Sequence, residues 1–300
     1  MEQNPDFETG VNYWANTEAS VNGVLGGYGE GTPVPRLDAT SSRLLILSLM
    51  PQLSTIIPPH STATIPPRPK RTFRALDCGA GIGRVTSTVL LPLFDTVDLV
   101  EPVPSFVKQA KKDALAGKEG WKNLHARTDE DGDPQPVKRV RIWRAGLQHF
   151  DPIAPAVPVP TPSSASPSVE LFATVGNPDL EFPDPAATLD TTEQGYDLVM
   201  IQWCIGHLSD DELAEFLKRS QKALRRGTDG KIEGYIVVKE NTCKDSEKDG
   251  RLFDDEDSSI TRSDAAFKAV FKQAGLRLLR REVQQGFPKE LFPVVAYALQ

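Results

Sequence analysis

From Leu76 to Arg84 the chain reads L-D-C-G-A-G-I-G-R, with glycine at every second position after an apolar stretch that ends in Asp77. Glycine at such a point lets the backbone turn sharply and lie against a ligand with no Cβ in the way. The amides that open the following helical pattern favour a carboxylate or the edge of a ribose. The spacing is G-x-G-x-G rather than the G-x-G-x-x-G of dinucleotide enzymes, although a plain strand ending in a glycine turn would also account for it. Other candidates stand at the ends of later apolar runs. Glu101, 18 residues beyond Gly83, can accept hydrogen bonds from both hydroxyls of a ribose. Nicotinamide-binding proteins use the same device, so Glu101 alone does not choose between ligands. Gly146-Leu147-Gln148 offers an apolar face and a polar edge to adenine, and Gln202 closes a further run. Arg84, directly after the last glycine, can pair with a carboxylate; a solvated residue in a first helical turn is the alternative.

These positions need a scaffold that gathers strand ends. Apolar runs at 74–78, 97–100, 140–144, 196–202, 235–239, 276–283 and 294–299 read as strands. Helical patterns fall between them at 84–94, from Pro104 through 112, and at 262–274 before Gly275. A further helix starts at Ser209-Asp210-Asp211-Glu212, a capping residue followed by acids at the positive end of the helix dipole. The expected fold is α/β, with a mainly parallel seven-stranded sheet and the last two strands antiparallel at one edge. Ligands of such sheets lie beyond the carboxyl ends of the strands, where strand order reverses. Segments 54–71, 116–139 and 151–195 break the pattern: the first and last are rich in proline, and the middle one is charged. Their composition reads as mobile surface insertions.

Composition narrows the function. The net charge of −7 argues against a nucleic-acid binder with a broad basic face and suits a cationic substrate. Cys78, Cys204 and Cys243 form no C-x-x-C pair, so neither zinc nor a disulfide framework is expected, and a reducing compartment is. The acidic run at 254–257 lacks the ligand spacing and glycine of a calcium loop; no metal is expected. No apolar run approaches the roughly 20 residues of a membrane span and no signal-peptide pattern is present, which leads to the expectation of a soluble intracellular protein.

Several runs are more specific than the glycine turn. They are Tyr13-Trp14, the sequence V-N-G-V-L-G-G-Y-G from Val21 to Gly29, and L-L-P-L-F from Leu90 to Phe94. To these add Gly146-Leu147-Gln148, I-Q-W-C-I-G-H-L from Ile201 to Leu208, Lys239-Glu240-Asn241, and D-D-E-D-S-S from Asp254 to Ser259. The glycine turn looks like the first motif of class I S-adenosylmethionine (SAM) methyltransferases. Together the runs resemble the protein α-N-terminal methyltransferase family, over nearly the whole chain outside the three insertions.

The resemblance implies a Rossmann-like class I methyltransferase fold, with an N-terminal helical extension over 1–53 that shapes the substrate channel and the methyltransferase domain over 72–300. It implies transfer of methyl groups from SAM to the α-amine of proteins whose exposed N-terminus reads X-Pro-Lys or X-Pro-Arg, ribosomal proteins among them, with S-adenosylhomocysteine as product. Cofactor contacts carry over to Gly79, Gly81, Arg84, Glu101, Pro102, Val103, Leu147, Gln148 and Gln202. Family members usually have Asp where Glu101 stands and a polar residue two positions on; Val103 leaves only a backbone contact there. Substrate contacts carry over to Tyr13, Trp14, Leu25, Gly26, Trp203, Asp254 and Ser259, and catalysis to Asp257, His207 and Asn241.

The chemistry asks for such groups. An α-amine has a pKa of about 7.7–8.0 and is mostly protonated near pH 7, so a proton must leave before the nitrogen can attack. His207 and Asp257 are the candidate bases, directly or through a water, and Asn241 can orient the amine or the first carbonyl. Asp254 and Asp257 supply negative charge for the N-terminus and a third-position Lys or Arg, while Trp14 and Trp203 give flat walls for a proline ring. Each also has a plainer reading: a solvated acidic loop, a structural histidine, a core tryptophan. The rival functions are a class I methyltransferase acting on a small molecule or another protein site, a cofactor-binding assembly module, and, more distantly, a nicotinamide oxidoreductase. The remaining expectations are a monomer without nucleic-acid or membrane partners, in the cytoplasm and also the nucleus, although Arg68-Pro69-Lys70-Arg71 is the only basic cluster that suggests import.

Overall fold

Arg74–Cys78 has every residue buried, which requires a sheet covered on both faces. The computed structural model, which describes residues 3–55, 68–124, 138–161 and 168–300, has that architecture. The chain opens on helices α1 (Phe7–Ala15), α2 (Val21–Val24) and α3 (Val34–Leu49). Then follow β1 (Arg74–Cys78), β2 (Thr96–Glu101), α4 (Pro104–Ala116), β3 (Arg139–Ala145), β4 (Val169–Gly176), β5 (Leu198–Gln202), α5 (Asp210–Lys222) and β6 (Tyr235–Asn241). A hairpin, β7 (Arg251–Asp254) and β8 (Ser259–Arg262), leads to α6 (Asp264–Gln273), β9 (Leu278–Val283) and β10 (Val294–Leu299).

The main sheet has the order β4-β3-β2-β1-β5-β6-β10-β9. β3, β2, β1, β5 and β6 run parallel, β10 pairs antiparallel with β6, and β9 pairs antiparallel with β10 at the edge. The chain steps outward from β1 to β3 and returns to β5 beside β1, so strand order reverses there and a cleft opens at their carboxyl ends. One face is covered through Leu45 and Ile46 of α3 and Val107 and Ala110 of α4. The other is covered through Leu213, Phe216 and Leu217 of α5 and Phe267 and Phe271 of α6.

Local chemistry sets the helix ends. Ser209 caps α5 in a reciprocal capping box with Glu212, Ser263 caps α6, and Pro104 opens α4 at its first turn. The helix expected over 84–94 is shorter and widens into a π-helical turn at Thr86–Leu90, where the Leu91 amide donates to the Thr86 carbonyl at 2.9 Å. Pro92 has no amide to continue it, and the helix ends there although Leu91 keeps helical angles. No helix among the described residues is long and apolar enough to cross a membrane.

The seven expected strands lie in the main sheet, and an eighth joins them from within 151–195. β4 pairs antiparallel with β3, so this part of the segment is built into the sheet. Residues downstream are seated on arginines of β3: Nη1 of Arg139 donates to the carbonyls of Pro178 and Leu180 at 3.1 and 2.5 Å. Arg141 donates to the Pro183 carbonyl at 3.0 Å and lies 4.2 Å over the Phe182 ring. Composition could not reveal this, because the anchors are backbone carbonyls and one aromatic ring. Residues 56–67 and 125–137 of the other two insertions, and 162–167 of this one, lie outside the described residues.

Candidate active site

Two cavities meet at the switch point. The first is lined by the glycine turn, the carboxyl ends of β2, β3 and β5, and α1. Gly79, Gly81 and Gly83 have φ of +59°, +57° and +78°, the left-handed region that glycine enters without penalty. A Cβ on Gly79 would also collide with Cys204. Asp77 accepts a hydrogen bond from the Thr86 hydroxyl at 2.6 Å, which ties the strand end to the helix that follows. The two oxygens of Glu101 accept from the amides of Gly81 and Val103, both at 2.8 Å. Burial pushes both carboxyls up to about 7, against those hydrogen bonds. All nine sequence-predicted cofactor residues line this cavity, namely Gly79, Gly81, Arg84, Glu101, Pro102, Val103, Leu147, Gln148 and Gln202.

Arg84 is buried, with its guanidinium 2.6 Å from Asp38 and 5.3 Å from the centre of the Trp203 ring. Asp38 also takes the side chains of Gln202 and Lys239. Asp38 was not singled out from the sequence, and Lys239 stood only within a run that carries the resemblance, with no role of its own. A signal did exist: Asp38 and Ser42 stand four apart on the buried stripe of α3, with Leu45 and Ile46, where an unpaired carboxylate would be costly.

The second cavity adjoins the first, and Trp14, Val24, Leu25, Trp203, Cys204 and His207 line both. Asn241, Asp257, Ser259 and Gly26 line the second alone. The Trp14 indole N–H donates to Nε2 of His207 at 2.8 Å, which fixes the imidazole proton on Nδ1. Burial lowers the His207 pKa, against the Asp257 charge and the Ser258 backbone. The imidazole is therefore neutral near pH 7. Oδ1 of Asp257 is buried without a hydrogen-bond partner among the described residues. Trp203 holds a left-handed backbone, φ +53°, and its ring faces Phe287 at 6.3 Å between centroids. Such strain in a non-glycine residue persists only where surrounding structure enforces it.

Two predicted substrate residues stand apart. Tyr13 packs edge-on against Trp14 at 5.3 Å but lines neither cavity, and Asp254 is exposed, accepting the Glu256 amide at 2.9 Å. Conversely, the second cavity includes Glu240, Phe287, Leu291 and Phe292, to which sequence reasoning gave no role. The last three lie between β9 and β10, in a stretch whose aromatic and proline content reads as an ordinary connection. Glu240 is buried, accepts the amides of Cys204 and Asn241 at 3.1 and 2.9 Å, and is raised by burial to about 7.

Comparison with known proteins is consistent across sequence and structure. A family model described as AdoMet dependent proline di-methyltransferase matches residues 2–150 and 182–300, leaving a gap inside the third insertion. Alpha N-terminal protein methyltransferase 1 of Arabidopsis thaliana is 34% identical over 98% of this chain and 79% of its own length. N-terminal Xaa-Pro-Lys N-methyltransferase 1-B of Xenopus laevis is 32% identical over 96% of this chain and 92% of its own. A solved SAM-dependent methyltransferase from Leishmania major is 31% identical and superimposes with a TM-score of 0.62, covering 98% of this chain and 82% of that one.

Proposed function

This chain belongs to the AdoMet-dependent proline di-methyltransferase family and is a SAM-dependent methyltransferase, and we propose that it methylates the α-amine of proteins beginning X-Pro-Lys or X-Pro-Arg. The observation that carries the reading is the shared wall of the two cavities: Trp14, Trp203 and His207 border both, with Asn241 and Asp257 just beyond. An aromatic wall is thus shared by the cofactor cleft and the cavity that holds the candidate base.

The residues of the first cavity fit the cofactor. Gln202 has a buried amide oxygen, Oε1, with no donor among the described residues, as a site for an ammonium requires. Arg84 would hold the carboxylate, Glu101 the ribose, and Leu147 and Gln148 the adenine. When bound, SAM supplies an electrophilic methyl group on a sulfonium centre. The chain's part is to present a neutral amine to it. Trp14 and Trp203 align the proline ring, Asn241 orients the amine, and Asp257 accepts the proton. Ser259 lines the second cavity, and the acidic hairpin turn that includes the exposed Asp254 adds negative charge beyond it for the third-position cation. The proposed substrates are ribosomal proteins with such termini, met by a monomeric enzyme in the cytoplasm and nucleus.

Incubation of the protein with SAM and a Ser-Pro-Lys peptide is expected to add methyl masses at the N-terminus, read by tandem mass spectrometry. Replacing the second-position proline with a bulky residue is expected to abolish the gain. No mass gain on any X-Pro-Lys/Arg peptide would defeat the reading, and activity indifferent to the proline would favour a methyltransferase of another specificity.

A further inference from the structure

Asp38 lies on α3 and lines neither cavity, yet it is fully buried and organises the floor of the first. Its carboxylate accepts from Nη1 of Arg84 at 2.6 Å, from Nε2 of Gln202 at 2.9 Å to each oxygen, and from Nζ of Lys239 at 2.5 Å. A carboxylate only accepts, so it dictates which end of the Gln202 amide faces it: the NH2 must. The carbonyl end, Oε1, is left buried without a partner in a residue that lines the cavity. Arg84, held by the same carboxylate, brings its guanidinium to that cavity as well. A buried acceptor without a donor and a buried guanidinium in one cavity are complementary to the two halves of an amino-acid zwitterion.

We propose that Asp38 is a positioning residue for the amino-acid end of the methyl donor: it turns Oε1 of Gln202 toward the α-ammonium and fixes Arg84 against the α-carboxylate. The inference rests on the cofactor reading above and adds the device that makes the site selective for a zwitterion. Asp38→Asn keeps the volume but offers Gln202 an NH2 as well as an oxygen, so the amide loses its fixed sense and Arg84 its anionic anchor. Burial lowers the Lys239 pKa and Asp38 is the main group opposing it, so Asp38→Asn/Lys239→Met, which removes both charges, separates the lost geometry from an unbalanced lysine.

The test compares S-adenosylhomocysteine with 5′-methylthioadenosine, which keeps the nucleoside and lacks the amino acid, by titration calorimetry. In Asp38→Asn the first is expected to bind roughly ten- to a hundredfold more weakly, the worth of one or two charge-assisted hydrogen bonds. The second should stay within about twofold of wild type, as expected for an interaction with no shared partners. If the single variant fails to fold, Asp38→Asn/Lys239→Met removes the buried pair together and should show the same selective loss. An unchanged preference between the ligands in either folded variant overturns the proposal, and so does an equal loss for both. Failure of the wild-type protein to bind S-adenosylhomocysteine at all would instead overturn the cofactor reading.

Discussion

An α-ammonium arriving between Trp14 and Trp203 meets two groups able to take its proton, and the hydrogen bonds around them separate their roles. Nε2 of His207 is already engaged by the Trp14 indole, and burial makes the ring a weak base. A carboxylate oxygen of Asp257 is buried with no partner among the described residues. Asp257 is therefore the freer acceptor, and His207 serves chiefly to seat the tryptophan wall. Gly10 supports this arrangement, because a Cβ there would press within 2.8 Å of Nδ1 of His207. The expected result of Asp257→Asn is a fall in kcat of about 10²- to 10⁴-fold, the usual worth of a positioned general base. Binding of S-adenosylhomocysteine should be unchanged, since Asp257 does not line the first cavity. Steady-state kinetics on an X-Pro-Lys peptide decides it: a kcat within tenfold of wild type would return the role to His207.

Across elements, the parallel strands are locked together by one buried carboxylate. Asp98 on β2 accepts from Arg141 on β3 at 2.6 and 2.9 Å, from the Trp143 indole at 2.8 Å, from the Tyr196 hydroxyl at 2.8 Å and from Arg74 on β1 at 3.3 Å. Removing it would strand two buried guanidinium groups. Asp98→Ala is expected to lower unfolding free energy by about 3–5 kcal/mol in urea titration, and a loss under about 1 kcal/mol would mean that those arginines find other partners. This network also marks where the sequence stops being legible. The largely apolar strands, the glycine turn and the capped start of α5 announce themselves through local pattern, and so the sheet and the cofactor residues were readable. Asp98, Asp38 and Lys239 are charged residues inside apolar elements, and their partners lie up to 201 positions away in the chain. Only the folded neighbourhood shows that they are paired. The β4 strand was missed for a related reason: only Val175 of its eight residues is buried, so its sequence lacks the continuous apolar run of a central strand.

At the scale of the whole molecule, α1 joins parts of the site that the sheet alone leaves separate. The Asp6 amide donates to the Ser258 hydroxyl on the hairpin turn at 2.8 Å, and Trp14 reaches His207 beyond β5 at the same distance. Phe7 fills the space that a Cβ on Gly146, beyond β3, would need, coming within 2.8 Å of it. Yet Gly10 is the only residue of α1 that is fully buried, and Val11 and Trp14 pack on a small separate cluster of Ile82, Val103 and Phe106, so the helix contributes little to the two main cores. Site and stability are thus separable in this segment. A chain lacking residues 1–16 is expected to fold with a melting temperature within about 4 °C of full length, equivalent to about 1 kcal/mol or less. Its turnover on an X-Pro-Lys peptide should fall at least a hundredfold, because Trp14 is gone, the cleft admits water, and misplacement of about 1 Å already costs that much. Thermal melting and peptide turnover measured on one preparation test both halves. Retained turnover would show that the sheet's carboxyl edge aligns the amine without α1; lost folding would show that the helix belongs to the core after all.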